Sequence, residues 1–239
     1  MKDNPIYDIY YRHHPYLFRF GSYHAIVRSL TIHGLVNRLY QSSKLNQQTY
    51  DRLLRTRQLI RTLIYYGEES VEADEAIQQI NEAHGPVVAS NDDFLYVLST
   101  FFLEPIRWNN LYGNQSIDHK DVKLIIDFWC RIGKKMHIND FPKNLDDWWE
   151  FQSNYEKQFM GYSAAGKNLA KQSLKQLCKQ AVPFGLGFVA KQILLGTMDE
   201  KVRVCLQLKN PVVNPLIMMK LVNRFQPNFE PKRDIVESV

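Results

Sequence analysis

Apolar and polar residues along this chain follow the three-to-four-residue period of a helix, and hardly anywhere the period of two that marks a strand. The stretch Tyr23–Tyr40 carries apolar residues at Ile26, Leu30, Ile32, Leu35, Val36 and Leu39. Tyr50–Tyr66 follows, with Leu53, Leu59, Ile60, Leu63 and Ile64 on one broad face and Gly67 as its stop. Ser70–His84 begins at a serine that can cap, bears the stripe Ala73, Ala76, Ile77, Ile80 and Ala83, and ends before Gly85-Pro86. Asp92–Trp108 stands behind Asn91 as its cap and has acids in its first turn, where the helix dipole favours them. Pro105 is expected to kink that helix or mark its end. Asp118–Lys135 has Val122, Ile125, Ile126, Trp129 and Ile132 as its apolar face. A short aromatic helix around Trp148, Trp149 and Phe151 comes after Pro142. Weaker helical patterns occupy Ala164–Gln180, Phe184–Leu195, Glu200–Leu208 and Pro215–Phe225. The pattern predicts an all-α protein of roughly nine to eleven helices. They form one domain over residues 21–226, with an N-terminal extension at 1–20 and a polar tail at 227–239.

Composition narrows the classes. With 45% hydrophobic and 23% charged residues, the chain is neither a fibre nor intrinsically disordered. Only 11 glycines and 10 prolines punctuate 239 residues, which favours long helices over a turn-rich sandwich. The net charge of +5 comes from 30 basic and 25 acidic residues that are interspersed, without a basic stripe, so no nucleic-acid partner is indicated. Cys130, Cys178 and Cys205 lie far apart and fit reduced thiols in a reducing, cytoplasmic setting. The N-terminus has no apolar run behind a basic start, as a secretory signal would. The most apolar window, Ala181–Met198, contains Pro183, Lys191 and Gln192 and is too short and polar to span a bilayer. The chain therefore reads as soluble, or at most associated with a membrane surface.

Three residues break apolar faces. Arg52 and Thr56 are four apart and share the face that continues into Leu59, Ile60 and Leu63. His84 closes the stripe of the next helix at its C-terminal end. A short glycine turn joins the two helices, so an antiparallel hairpin would bring Arg52, Thr56 and His84 to the same end. Such a set suits a cofactor pocket. An imidazole can ligate haem iron, an arginine can pair with a propionate or bound anion, and a hydroxyl can hydrogen-bond to a distal ligand. A plainer reading is equally available, with His84 capping a helix end, Arg52 in a surface ion pair and Thr56 filling a helix face. The other histidines point less clearly to chemistry. His13 and His14 precede Pro15 and read as loop, His24 and His33 are nine apart, His119 starts a helix and His137 follows one. No HExxH, GxSxG or phosphate-cradling glycine loop occurs, and the paired ExxH motifs of a di-iron bundle are missing. Trp129, Trp148 and Trp149 read as core or as the wall of a lipophilic pocket.

An ordered series of short motifs adds a family resemblance. It includes Arg52-x-x-x-Thr56, Asn81-x-x-His84, the run Asn91-Asp92-Asp93-Phe94-Leu95-Tyr96, then Glu104-Pro105-Ile106-Arg107-Trp108 and Tyr112-Gly113. Phe128-Trp129, Ile132-Gly133, Met136-His137-Ile138 and Tyr155-Glu156 follow. Together, over roughly residues 20–225, they resemble the family that groups fungal ER-bound oxygenases with bacterial rubber oxygenases. The resemblance implies an all-α, distantly globin-like fold that binds haem b. It implies that His84 is the axial iron ligand and that Arg52 and Thr56 are its catalytic partners in the pocket. It further implies an oxygenase that uses O₂ on an apolar, isoprenoid- or lipid-like substrate, with C=C cleavage in relatives. A non-catalytic haem- or lipid-binding protein of the same fold is the alternative. Two departures stand out. Arg55 precedes Thr56, where relatives often carry an acid or lysine, and a permanently protonated guanidinium is a poor iron ligand. The stretch Ser22–Lys44, where rubber-cleaving relatives place a catalytic base, contains no acid.

Overall fold

Helices account for nearly all regular structure in the computed structural model, which describes residues 4–42, 46–180 and 187–225. They are α1 (Pro5–Tyr7), α2 (Ser22–Ser29), α3 (His33–Ser42), α4 (Asn46–Tyr66), α5 (Val71–His84) and α6 (Asn91–Tyr112). The second half adds α7 (His119–Lys135), α8 (Leu145–Phe159), α9 (Ala164–Gln180), α10 (Gly187–Gly196), α11 (Glu200–Cys205) and α12 (Pro215–Phe225). Among the described residues no strand forms, and the single strand-like feature is an isolated antiparallel bridge between Ile32 and Met160. The all-α expectation holds. The 227–239 tail and residues 184–186 of the expected Phe184–Leu195 helix lie outside the described residues.

The centre of the fold is α6, which has buried side chains all round, as a helix enclosed by others must. Ser90 and Asp93 form a capping box at its start, each side chain bonded to the other's backbone N–H. Leu95, Leu98, Phe102 and Leu103 of α6 join the largest core with α4, α5 and α7. Trp108 belongs to a second core with α2, α9, α10, α11 and α12. Tyr96 stacks on Tyr155 of α8 at 4.5 Å in a third, small cluster. Trp129 and Trp148 are fully enclosed, so the core reading holds for both. Trp149 is half-buried beneath the Arg107 guanidinium, 4.7 Å from its carbon.

Several local expectations change. The helix read over Tyr23–Tyr40 is two helices, broken at Leu30–Ile32. There Ile32 bridges Met160, and the Thr31 carbonyl accepts the Gly161 N–H at 2.9 Å. That tertiary bond overrides a continuous local pattern. Pro105 does not end its helix, since α6 runs through it to Tyr112. Pro105 instead packs on Gly21, where an added Cβ would lie 2.5 Å from its Cγ, so only glycine permits this approach. The segment read as an N-terminal extension is helical too, with π-helical turns at Asp8–His13 and Leu17–Gly21. Ile6, Ile9, Tyr10, Leu17 and Phe18 from it enter the largest core. His13 thus sits in a helical turn, and His14 is buried. Asn4 ties this segment to α4 by donating Nδ2 hydrogens to the carbonyls of Ile64 and Tyr65, both at 3.1 Å.

Candidate functional site

Two groups of polar residues stand out, one beside the first turn of α6 and one buried between α2, α6 and α8. The first is the α4–α5 hairpin. Gly67 closes α4 with φ of +81°, the left-handed conformation that glycine adopts without strain. The Ser70 hydroxyl then accepts the Ala73 N–H at 3.1 Å and starts α5. Leu59, Ile60, Leu63 and Ile64 of α4 pack with Ala73, Ala76, Ile77 and Ile80 of α5 in the largest core. Arg52 precedes the last residue of α4 by 14 positions, and His84 follows the first residue of α5 by 13. At 1.5 Å per residue both lie about 20 Å from the turn, at the same end of the hairpin. Thr56 stands one turn closer to the bend and is half-buried. The Arg52 side chain lies outside the described residues.

His84 is half-buried, the last residue of α5, with its ring 5.3 Å from that of Phe94 in the first turn of α6. The donor chemistry here is one imidazole, one hydroxyl and, by position, one guanidinium. Among the described residues no group of three or more His, Cys, Asp or Glu side chains is placed to hold a metal ion. One imidazole is a donor that a porphyrin-held iron can use, since the porphyrin supplies most of its ligands.

The second group surrounds Arg28, whose side chain is 1% exposed. Arg28 is the single charged residue between Arg19 and Arg38, and it gathers carboxylates from three other segments. Its Nε donates to Glu104 of α6 at 2.7 Å and its Nη1 to Glu156 of α8 at 2.8 Å. Its Nη2 donates to Asp199, the residue that caps α11. Arg107 pairs with Glu104 and donates to Gln152 at 2.9 Å, and the Tyr96 hydroxyl donates to Glu156 at 3.1 Å. Burial works against the Arg28 charge, yet Glu104 and Glu156 hold its pKa above the ordinary arginine value. Burial also raises the Glu156 pKa, outweighing the pull of Arg28 and Arg107. For Asp199 burial raises, but Arg28, the Lys201 backbone N–H and Arg107 together bring the pKa below the ordinary value. The carboxylates absent from Ser22–Lys44 thus reach α2 from distant segments.

His24, one turn before Arg28, is also buried. Its Nδ1 lies 2.7 Å from the Phe20 carbonyl, so that nitrogen carries the proton. Its Nε2 lies 3.3 Å from the Thr197 hydroxyl, which itself donates to the Ile193 carbonyl at 2.9 Å. Burial lowers the His24 pKa, against the hydrogen bond to the Phe20 carbonyl, which raises it. A cavity of about 400 Å³ opens beside it, bordered by Glu104, Arg107, Tyr112, Thr197 and Asp199. Its border mixes these charged residues with Trp108, Leu111 and Met198. Trp108 on its wall is 14 residues along α6 from Phe94, the neighbour of His84, a separation of about 21 Å along the axis.

Sequence reasoning assigned no role to His24, Arg28, Glu104, Glu156 or Asp199. One signal was present: Arg28 stands alone in an apolar stretch, and Glu104 is the single acid between Asp93 and Asp118. Of the motif residues that carry the resemblance, Tyr96, Glu104, Arg107 and Glu156 meet in this network. Comparison with protein families matches residues 10–224 to the family described as ER-bound oxygenase mpaB/B'/Rubber oxygenase, catalytic domain. No curated protein matches the chain.

Proposed function

We propose a function from one premise: the chain belongs to the ER-bound oxygenase/rubber oxygenase catalytic-domain family. That family is one of oxygenase catalytic domains. In our reading this chain is a haem b-dependent oxygenase that uses O₂ on an apolar, isoprenoid- or lipid-like substrate. The observation that supports it is the α4–α5 hairpin, which carries positions 52, 56 and 84 to one end. His84 would hold the iron through a neutral imidazole nitrogen, and its ring lies against that of Phe94. Arg52 would pair with a propionate or a bound anion. The Thr56 hydroxyl would donate a hydrogen bond to a bound ligand. Bound haem would supply the O₂ activation that no side chain provides.

A second reading, a non-catalytic haem or lipid carrier of the same fold, is favoured by the acid-free stretch Ser22–Lys44. Its one basic side chain near the core, Arg28, is fully engaged by carboxylates. Expression with ample haem supply, followed by a pyridine haemochrome assay, tests the haem that the oxygenase and a haem carrier share: haem b near one per chain is expected, and colourless protein contradicts both and leaves only a lipid carrier. O₂ consumption with an unsaturated isoprenoid lipid separates them, since the carrier consumes none above the rate of free haem.

A further inference from the structure

Exposed apolar side chains are concentrated in the C-terminal helices. Of the twelve large hydrophobics exposed among the described residues, seven fall between Phe188 and Ile217. The same region is basic: residues 187–224 contain six Lys or Arg and two acids. One of those acids, Asp199, is committed to Arg28. The chain's net charge is +5, so this short region carries most of it.

The geometry of α12 shows how the two properties combine. At about 100° per residue, Leu216, Ile217, Lys220 and Arg224 share one arc of the helix. Met218, Met219 and Val222 occupy the opposite arc and pack into the second core. Leu216 and Ile217 are 52% and 59% exposed, so they face outward with Lys220 and Arg224. The turn before α12 is fixed against α10, where the Val212 N–H donates to Gln192 at 2.8 Å. Val212 itself projects outward, as does Val204 on α11 beside Lys201.

From this we infer that the outer face of α10–α12 is a docking surface for an anionic lipid bilayer. Apolar side chains would enter the headgroup boundary while flanking lysines and arginines meet lipid phosphates and carboxylates. A protein partner fits less well, because lysine is depleted from protein interfaces. Attachment is peripheral for the described helices, none of which is long and apolar enough to cross a membrane. The inference stands apart from the haem reading and is tested without it.

The test is co-sedimentation of the full chain with vesicles of phosphatidylcholine alone and of phosphatidylcholine with phosphatidylserine. Binding to the serine-lipid vesicles is expected, and it should weaken as salt screens the charges. Leu216→Asp/Ile217→Asp and Lys220→Glu/Arg224→Glu should each weaken it by at least about tenfold. Val71→Asp/Val88→Asp, on exposed apolar residues elsewhere, should leave it unchanged. Because the four C-terminal positions are exposed, circular dichroism should report unchanged helix content. No binding to anionic vesicles overturns the inference, as does binding that both C-terminal variants retain. A dimer that the same variants dissociate, with vesicles unbound, assigns the face to a second copy of the chain and also overturns it.

Discussion

Replacing Arg28 with methionine removes one guanidinium from among three carboxylates. Glu104 and Glu156 are 5% and 11% exposed, so water cannot take over its role there. After the change Arg107 is the one cation left for Glu104, Glu156 and Asp199. Stripping one partner from a buried ion pair costs about 3–5 kcal/mol, because the remaining charge stays desolvated. For a domain of this length each kcal/mol lowers Tm by about 2–4 °C, so a fall of about 6–20 °C is expected. Thermal and urea unfolding followed by far-UV circular dichroism at neutral pH measure it. The triple variant Arg28→Met/Glu104→Gln/Glu156→Gln separates charge from packing. It leaves Arg107 with Asp199, 3.6 Å away in the wild type, as a balanced pair. Most of the lost stability should return. The reasoning fails if Arg28→Met lies within about 1 kcal/mol of wild type, or if the triple variant is no more stable than the single one.

Three further outcomes follow from the same structure. Glu156 has a folded pKa raised above its ordinary 4.5, so the folded state holds a proton there that the unfolded state releases. Its contribution to stability therefore falls as pH rises from 4.5 through the folded value, and Glu156→Gln should flatten that part of a urea-midpoint profile against pH. Gly21→Ala places a methyl group 2.5 Å from Pro105 Cγ. It should cost about 1–3 kcal/mol in urea unfolding, with neutrality arguing against close packing of the Leu17–Gly21 turn on α6. Ser90→Ala opens the α6 capping box and should cost about 1 kcal/mol, whereas Ser90→Asp should retain most of the stability.

What the sequence made legible was set by local physics. The stripes Leu59–Ile64 and Ala73–Ile80, Ser70 as a cap and Gly67 as a stop needed only neighbours in the chain, and the hairpin they predict is present. Residues 4–20 were not legible, because π-helical turns bury Ile9, Tyr10 and Tyr11 in succession and erase the 3.6-residue signature. The break after Ser29 depends on Met160 and Gly161, more than a hundred residues away. The network around Arg28 has the same origin: Glu156 and Asp199 lie 128 and 171 residues from it. An isolated charge in an apolar run could announce that a partner exists, but not which one.

The central claim is that His84 holds haem iron, and the absorption spectrum of purified protein tests it most directly. Wild-type chain expressed with ample haem should show a Soret band, and His84→Ala should lose it while far-UV circular dichroism reports the same helix content. A folded wild type without haem, or a His84→Ala variant with an unchanged Soret band and haem content, would contradict the account.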